Sequence, residues 1–123
     1  MADSTELPGA QQTIIEYVEA CRNGDVEKLR SLFSPSAVMS GYYNGDFYIG
    51  SPDYFFDEVR DNPSPASTGS DYVGEVTAYE TIGNIASITL KEKGYLGLNF
   101  TNLFHLAFVD GTWLITSKAY VDQ

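Results

Sequence analysis

The chain has 123 residues and a mass of 13.5 kDa, with 17 acidic against 7 basic side chains and a net charge of −10. Such a surface repels phosphate backbones and anionic lipid, so sequence-independent nucleic-acid binding and electrostatic attachment to membranes are excluded. At 43% hydrophobic residues the chain is too apolar for wholesale disorder, and no apolar run approaches the ~20 residues of a membrane span. The length is that of one domain, large enough to bury about two-thirds of its surface on folding. Cys21 and His105 are the only residues of their kinds, so neither an intrachain disulfide nor a Cys/His zinc set is available and no cofactor is expected. The N-terminus lacks the basic and apolar regions of a leader, and the chain is expected to be soluble and cytoplasmic.

Residues 1–9 read as a flexible acidic tail ahead of a single domain over 10–123. From Ala10, the apolar residues Ile14, Tyr17, Val18 and Cys21 fall at the i, i+3, i+4, i+7 spacing of an amphipathic helix. Cys21 on that stripe is expected to be a small buried hydrophobe. Gly24 can adopt the left-handed conformation that stops the helix, and Asp25 can cap the next one. The second helix is short, with Val26, Leu29, Leu32 and Phe33 facing inward, and Ser34-Pro35 ends it.

Extended segments follow at 37–43 and 47–50 around Asn44-Gly45, a strong hairpin signal because a type I′ turn needs two positive φ angles. Ser51-Pro52-Asp53 then opens a third helix carrying Tyr54, Phe55, Phe56 and Val59. Residues 61–70 are polar and rich in Pro and Ser, the composition of a loop. Strands 72–82 and 84–93 pair around Gly83-Asn84, and strands 98–109 and 112–121 pair around Asp110-Gly111. Gly94 and Gly97 predict bulges or a sharp bend. The order is that of an α+β domain, with three helices on one face of a strongly curved, mostly antiparallel sheet.

In 85–93, Ala86, Ile88 and Leu90 alternate with Ser87, Thr89 and Lys91, so one face of this strand is wet. In 100–109 both faces are apolar, Phe100, Phe104, Leu106 and Phe108 against Leu103, Ala107 and Val109. Strand 113–121 is similar, with Trp113 and Ile115 opposite Leu114 and Tyr120. Apolar residues on both faces of neighbouring strands call for a cover on the outer side. A homodimer through strands 98–109 and 112–121 is the economical one.

The run Tyr17 to Phe33 (YVEACRNGDVEKLRSLF) resembles the opening of the nuclear transport factor 2-like superfamily, which holds ketosteroid isomerases, SnoaL-like cyclases, dehydratases and binding domains. Ser40-Gly41-Tyr42-Tyr43, Gly45-Asp46, Gly50-Ser51, Asn62-Pro63-Ser64-Pro65-Ala66 and Asp110-Gly111-Thr112-Trp113 are closer still to its lumazine-binding-like branch. The resemblance covers roughly residues 10–121. It implies a cone of helices over a bent mixed sheet, enclosing a pocket for a small apolar or aromatic molecule, not for lumazine in particular. Tyr43, Tyr54, Phe55, Phe100, Asn102, Phe104 and Trp113 are the ligand-binding candidates.

Likeness to the ketosteroid isomerases implies more at three positions. Tyr17 matches the helix-borne oxyanion donor, and His105 the second donor. The general-base position matches Gly41, which can hold no proton, so steroid isomerisation is not expected. If Phe100, Asn102 and Phe104 line the cone, His105 faces the other way, and the reverse holds equally, since a one-residue slip inverts a strand. No acid pair falls at a predicted interior position, and neither a phosphate loop nor a nucleophile elbow is present. Three functions remain open: binding of a small molecule; a cofactor-independent isomerase, cyclase or dehydratase using Tyr17 and His105; and a dimeric interaction module without ligand.

Overall fold

Helix α1 (Ala10–Asn23) buries Ile14, Tyr17, Val18 and Cys21, the stripe expected from the spacing. Gly24 at φ 67° stops it, and the Asp25 side chain accepts the Lys28 N–H at 3.1 Å to open α2 (Val26–Ser31). The computed structural model describes residues 9–123, so the tail expected over 1–9 lies, Gly9 apart, outside the described residues. α2 is shorter than its apolar spacing predicts. The Leu32 carbonyl accepts the Ile115 N–H at 2.8 Å, and this draws Phe33 out of the helix and into the first strand, β1 (Phe33–Tyr43).

β1 turns through Asn44 (φ 54°) and Gly45 (φ 84°), the expected type I′ hairpin, into β2 (Asp46–Gly50). Helix α3 (Asp53–Asp61) starts one residue later than predicted, with Pro52 at its cap. Within the predicted loop, Ser64 caps a single helical turn, α4 (Pro65–Thr68). Strands β3 (Val73–Ile82), β4 (Ile85–Tyr95), β5 (Leu98–Val109) and β6 (Thr112–Asp122) complete a six-stranded sheet of order β2-β1-β6-β5-β4-β3. All neighbours are antiparallel except β1 and β6, which makes the sheet mixed.

The helices cover one face of this curved, unclosed sheet. Thr13 on α1 donates to the Trp113 carbonyl at 2.9 Å, and Gly74 in β3 leaves room for Val18. Ala86, Ile88, Leu90, Phe104, Leu106 and Ile115 form the buried concave surface beneath α1.

Two bulges break the alternation on that surface. On β6, His105 pairs with Ser117 but Leu106 with Ile115, so Thr116 is an extra residue. On β4, Glu92 pairs with Phe100 but Tyr95 with Leu98, and Gly94 takes φ 77° within the extra step. Leu96 (φ 52°) and Gly97 (φ 81°) then make the β4–β5 hairpin. The Thr116 bulge corrects the predicted opposition of Ile115 and Tyr120. Ile115 and Lys118, three residues apart, are both buried, and Tyr120 follows Lys118 onto the concave side.

Candidate functional site

At one end of the concave face the sheet and α3 enclose a cavity of about 270 Å³. This is near the lower limit for small-molecule sites. Its walls are aromatic: Tyr17 from α1, Tyr54 and Phe55 from α3, Tyr43 from β1, Phe100 from β5 and Tyr120 from β6. Leu96 and Leu98, from the β4–β5 hairpin, also line it. The left-handed Leu96 costs local strain that a glycine would not.

Exposed Glu58 and Asn62 lie on the lining as well, and a buried carboxylate and a buried amine stand among the rings. Glu92 is 5% exposed, and both its oxygens accept hydrogen bonds: Oε1 from Asn102 Nδ2 at 2.6 Å, and Oε2 from the Tyr72 hydroxyl. Each oxygen keeps a second acceptor position. Burial pushes the Tyr72 phenol far above its usual range, so it remains a donor. Asn102 is 1% exposed, and its Oδ1 has no hydrogen-bond partner among the described residues.

Among the described residues, Lys118 is the only basic one that is buried. Its Nζ lies 3.8 Å from the centre of the Phe55 ring, 5.2 Å from that of Tyr120 and 5.9 Å from that of Tyr17. It has no hydrogen-bond or ion-pair partner among the described residues. Burial lowers its pKa from the ordinary lysine value, against the opposing pull of Glu92.

Six of the nine residues singled out in the sequence meet at this cavity: Tyr17, Tyr43, Tyr54, Phe55, Phe100 and Asn102. Phe104 does not line it. It is fully buried beneath Tyr17, with ring centres 5.0 Å apart. Trp113 sits toward the other end of the face, against Phe108 at 5.4 Å. His105 is corrected outright. The register that turns Asn102 and Phe104 inward turns His105 to the outer face, where it edges a separate hollow with Ile82, Ile85 and Ser87. The structure therefore does not bring Tyr17 and His105 together.

Tyr17 lies against Cys21 rather than Asn102, and burial raises both its phenol and the Cys21 thiol, which leaves Cys21 a neutral core residue. A side chain at Gly41 would meet the Tyr120 carbonyl, since an ideal Cβ would stand 2.1 Å from that oxygen.

No acid pair was expected in the interior, and Glu92, which the structure buries there, was not among the candidates. Its signal was present, because Ala86, Ile88, Leu90 and Glu92 share one face by strict alternation. Lys118 and Tyr95 gave no such signal. Their inward direction depends on the two bulges.

A mixed, curved sheet with helices over its concave side is the nuclear transport factor 2-like fold. The chain belongs to the family described as Putative lumazine-binding, whose model matches residues 6–121. It is similar to a nuclear transport factor 2-like protein of unknown function from Silicibacter pomeroyi, with 24% identity, a TM-score of 0.84 and full coverage of both chains. A ketosteroid isomerase-like protein from Erwinia carotovora shares the fold at 16% identity and a TM-score of 0.68, over 97% of each chain. Among curated proteins, the aldolase FrzH of Cladobotryum is 25% identical over 122 residues, 95% of this chain and 91% of that one.

Proposed function

We propose that the cavity binds a small, largely apolar carbonyl compound and that the chain moves a proton beside that carbonyl, the step common to ketone isomerisation and aldol chemistry. One observation carries this reading: a buried carboxylate and a buried amine face a common cavity whose remaining wall is mostly aromatic. Proton abstraction next to a carbonyl needs a base within reach and a positive or donor group for the electron-rich intermediate. Glu92 supplies the base, held in place by Asn102 and Tyr72. Lys118 supplies the positive charge, and Asn102 Oδ1 is free to accept an N–H or O–H of the ligand. The names of the Cladobotryum and Erwinia proteins support this class of chemistry. No cofactor enters the scheme.

A fluorogenic aromatic β-hydroxyketone, whose retro-aldol cleavage releases a naphthaldehyde, tests it. Wild type should cleave above background, and Glu92→Gln should lose about 10²–10⁴ of the rate. Saturable binding with no cleavage, by wild type and variant alike, would leave a binding protein without turnover.

Assembly forms a second part of the reading. Val38, Tyr42, Phe47, Ile49, Leu103 and Val121 leave an exposed apolar outer face across β2, β1, β6 and β5. A second copy over that face, burying on the order of 1,200–2,000 Å², is the proposed cover. Sedimentation at micromolar concentration should show a dimer, and Leu103→Glu should return it to a 13.5 kDa species.

A further inference from the structure

Lysines buried in protein interiors ordinarily donate to carboxylates or carbonyls, because three N–H donors taken out of water need acceptors. Lys118 departs from this. Its Nζ reaches the cavity wall, has no acceptor among the described residues and is faced by the rings of Phe55, Tyr120 and Tyr17. Glu92 acts on it electrostatically without forming an ion pair. The other three lysines differ: Lys28 pairs with Glu16 at 2.6 Å, and Lys91 and Lys93 stand in the exposed rows of β4.

We infer that Lys118 is a nucleophile that condenses with the carbonyl carbon of the ligand to form an imine inside the cavity. The inference rests on the reading of the cavity as a carbonyl site and makes Lys118 deliver its positive charge covalently. The Nζ lone pair bonds to the carbonyl carbon while the C=O π pair moves to oxygen. That oxygen takes a proton, and nitrogen gives one up, leaving a carbinolamine. The C–O bond then breaks as the hydroxyl takes a second proton and leaves as water, and the nitrogen lone pair closes the C=N bond. No oxidant or co-reactant is consumed. Glu92, with a free acceptor position on each oxygen, can hold the proton in transit.

The surroundings suit both ends of this step. Burial favours the free amine, the reactive form, over the ammonium. The protonated imine is again a cation, and the three ring faces and the Glu92 charge that surround Nζ stabilise it once formed. Phe55, at 3.8 Å, is placed to stack on the new C=N plane.

The full chain with 2-naphthaldehyde at neutral pH, followed by sodium borohydride, tests this. Borohydride reduces an imine to a stable secondary amine, so each trapped chain gains the mass of the aldehyde less one oxygen atom. Peptide mapping should put the adduct on Lys118 in clear excess over Lys28, Lys91 and Lys93, since Lys118 alone lines the cavity and burial favours its free amine. Lys118→Arg, which keeps the charge without the nucleophile, should lose that adduct. The wild-type map alone is decisive if the variant does not fold. Saturable quenching of tyrosine fluorescence by the aldehyde with Lys118 unlabelled would overturn the inference and leave the cavity reading standing. Labelling spread evenly over the four lysines would also overturn it. Absence of both quenching and labelling would overturn both readings.

Discussion

Strands β4, β5 and β6 present two different surfaces along the same concave face. Under the middle of α1 they offer Ala86, Ile88, Leu106 and Ile115, aliphatic and closed to water. A few residues along each strand they offer Glu92, Asn102 and Lys118, equally buried but charged or amidic, with aromatic neighbours. The two ends are buried to the same degree, so burial alone does not separate them. The difference lies in polar satisfaction. The first end needs no partners, whereas the second contains an amide oxygen without a hydrogen-bond partner among the described residues and an amine faced by aromatic rings. Buried polar groups cost stability unless they are paired. A ligand-bearing function accounts for their presence at one end only.

The largest expected effect breaks the dry end. Phe104→Ala removes the ring that supports Tyr17 and should cost about 3–5 kcal/mol of unfolding free energy in urea titration. A loss below about 1 kcal/mol would mean that the dry end is not the stabilising one.

Glu92→Gln follows. The amide can still accept from the Tyr72 hydroxyl, but it sets its own N–H₂ against Asn102 Nδ2, and a stability loss of about 1–3 kcal/mol is expected. Thermal denaturation checks it, and an unchanged midpoint would show that the Tyr72–Glu92–Asn102 cluster does not hold the polar end together.

Lys118→Met should act in the opposite direction. It replaces a poorly paired buried amine by an apolar side chain of similar length, and the fold should gain about 0.5–2 kcal/mol. The gain has a pH signature. Lys118 titrates lower in the folded chain than its ordinary 10.5. At pH values below the folded pKa, both states carry the ammonium, and the wild type bears its desolvation cost in full. As pH rises through the folded pKa toward 10.5, the folded amine is already neutral and the cost disappears. The advantage of the variant should therefore be greatest below the folded pKa of Lys118 and shrink as pH rises toward 10.5. A gain independent of pH would assign it to packing instead.

The smallest effect concerns Tyr17→Phe. The phenol lies against Cys21 and holds neither Asn102 nor His105, so stability should change by less than about 1 kcal/mol. Binding of an aromatic carbonyl compound, measured by calorimetry, should weaken if the hydroxyl serves the ligand. Equal affinity would confine Tyr17 to packing.

Local chemistry accounts for how much of the fold could be read in advance. Gly24 and Asp25 end one helix and open the next, and Asn44-Gly45 and Asp110-Gly111 take the positive φ angles that such turns require, because these residues act on their immediate neighbours. The aromatic character of the cavity was likewise visible, since Tyr17, Phe55 and Phe100 carry it in their own side chains. Glu92 was also accessible, one alternation beyond Leu90. Lys118, Tyr95 and the outward turn of His105 were not. Whether a strand residue points in or out is a matter of parity, and one extra residue at Thr116 or near Gly94 reverses it for everything beyond. A bulge is defined by the pairing of two strands, and the sequence of either strand alone does not contain it. The sequence by itself thus determined the main elements, their order and the aromatic character of the cavity wall. Only the tertiary pairing decided that a buried carboxylate and a buried amine would line one cavity.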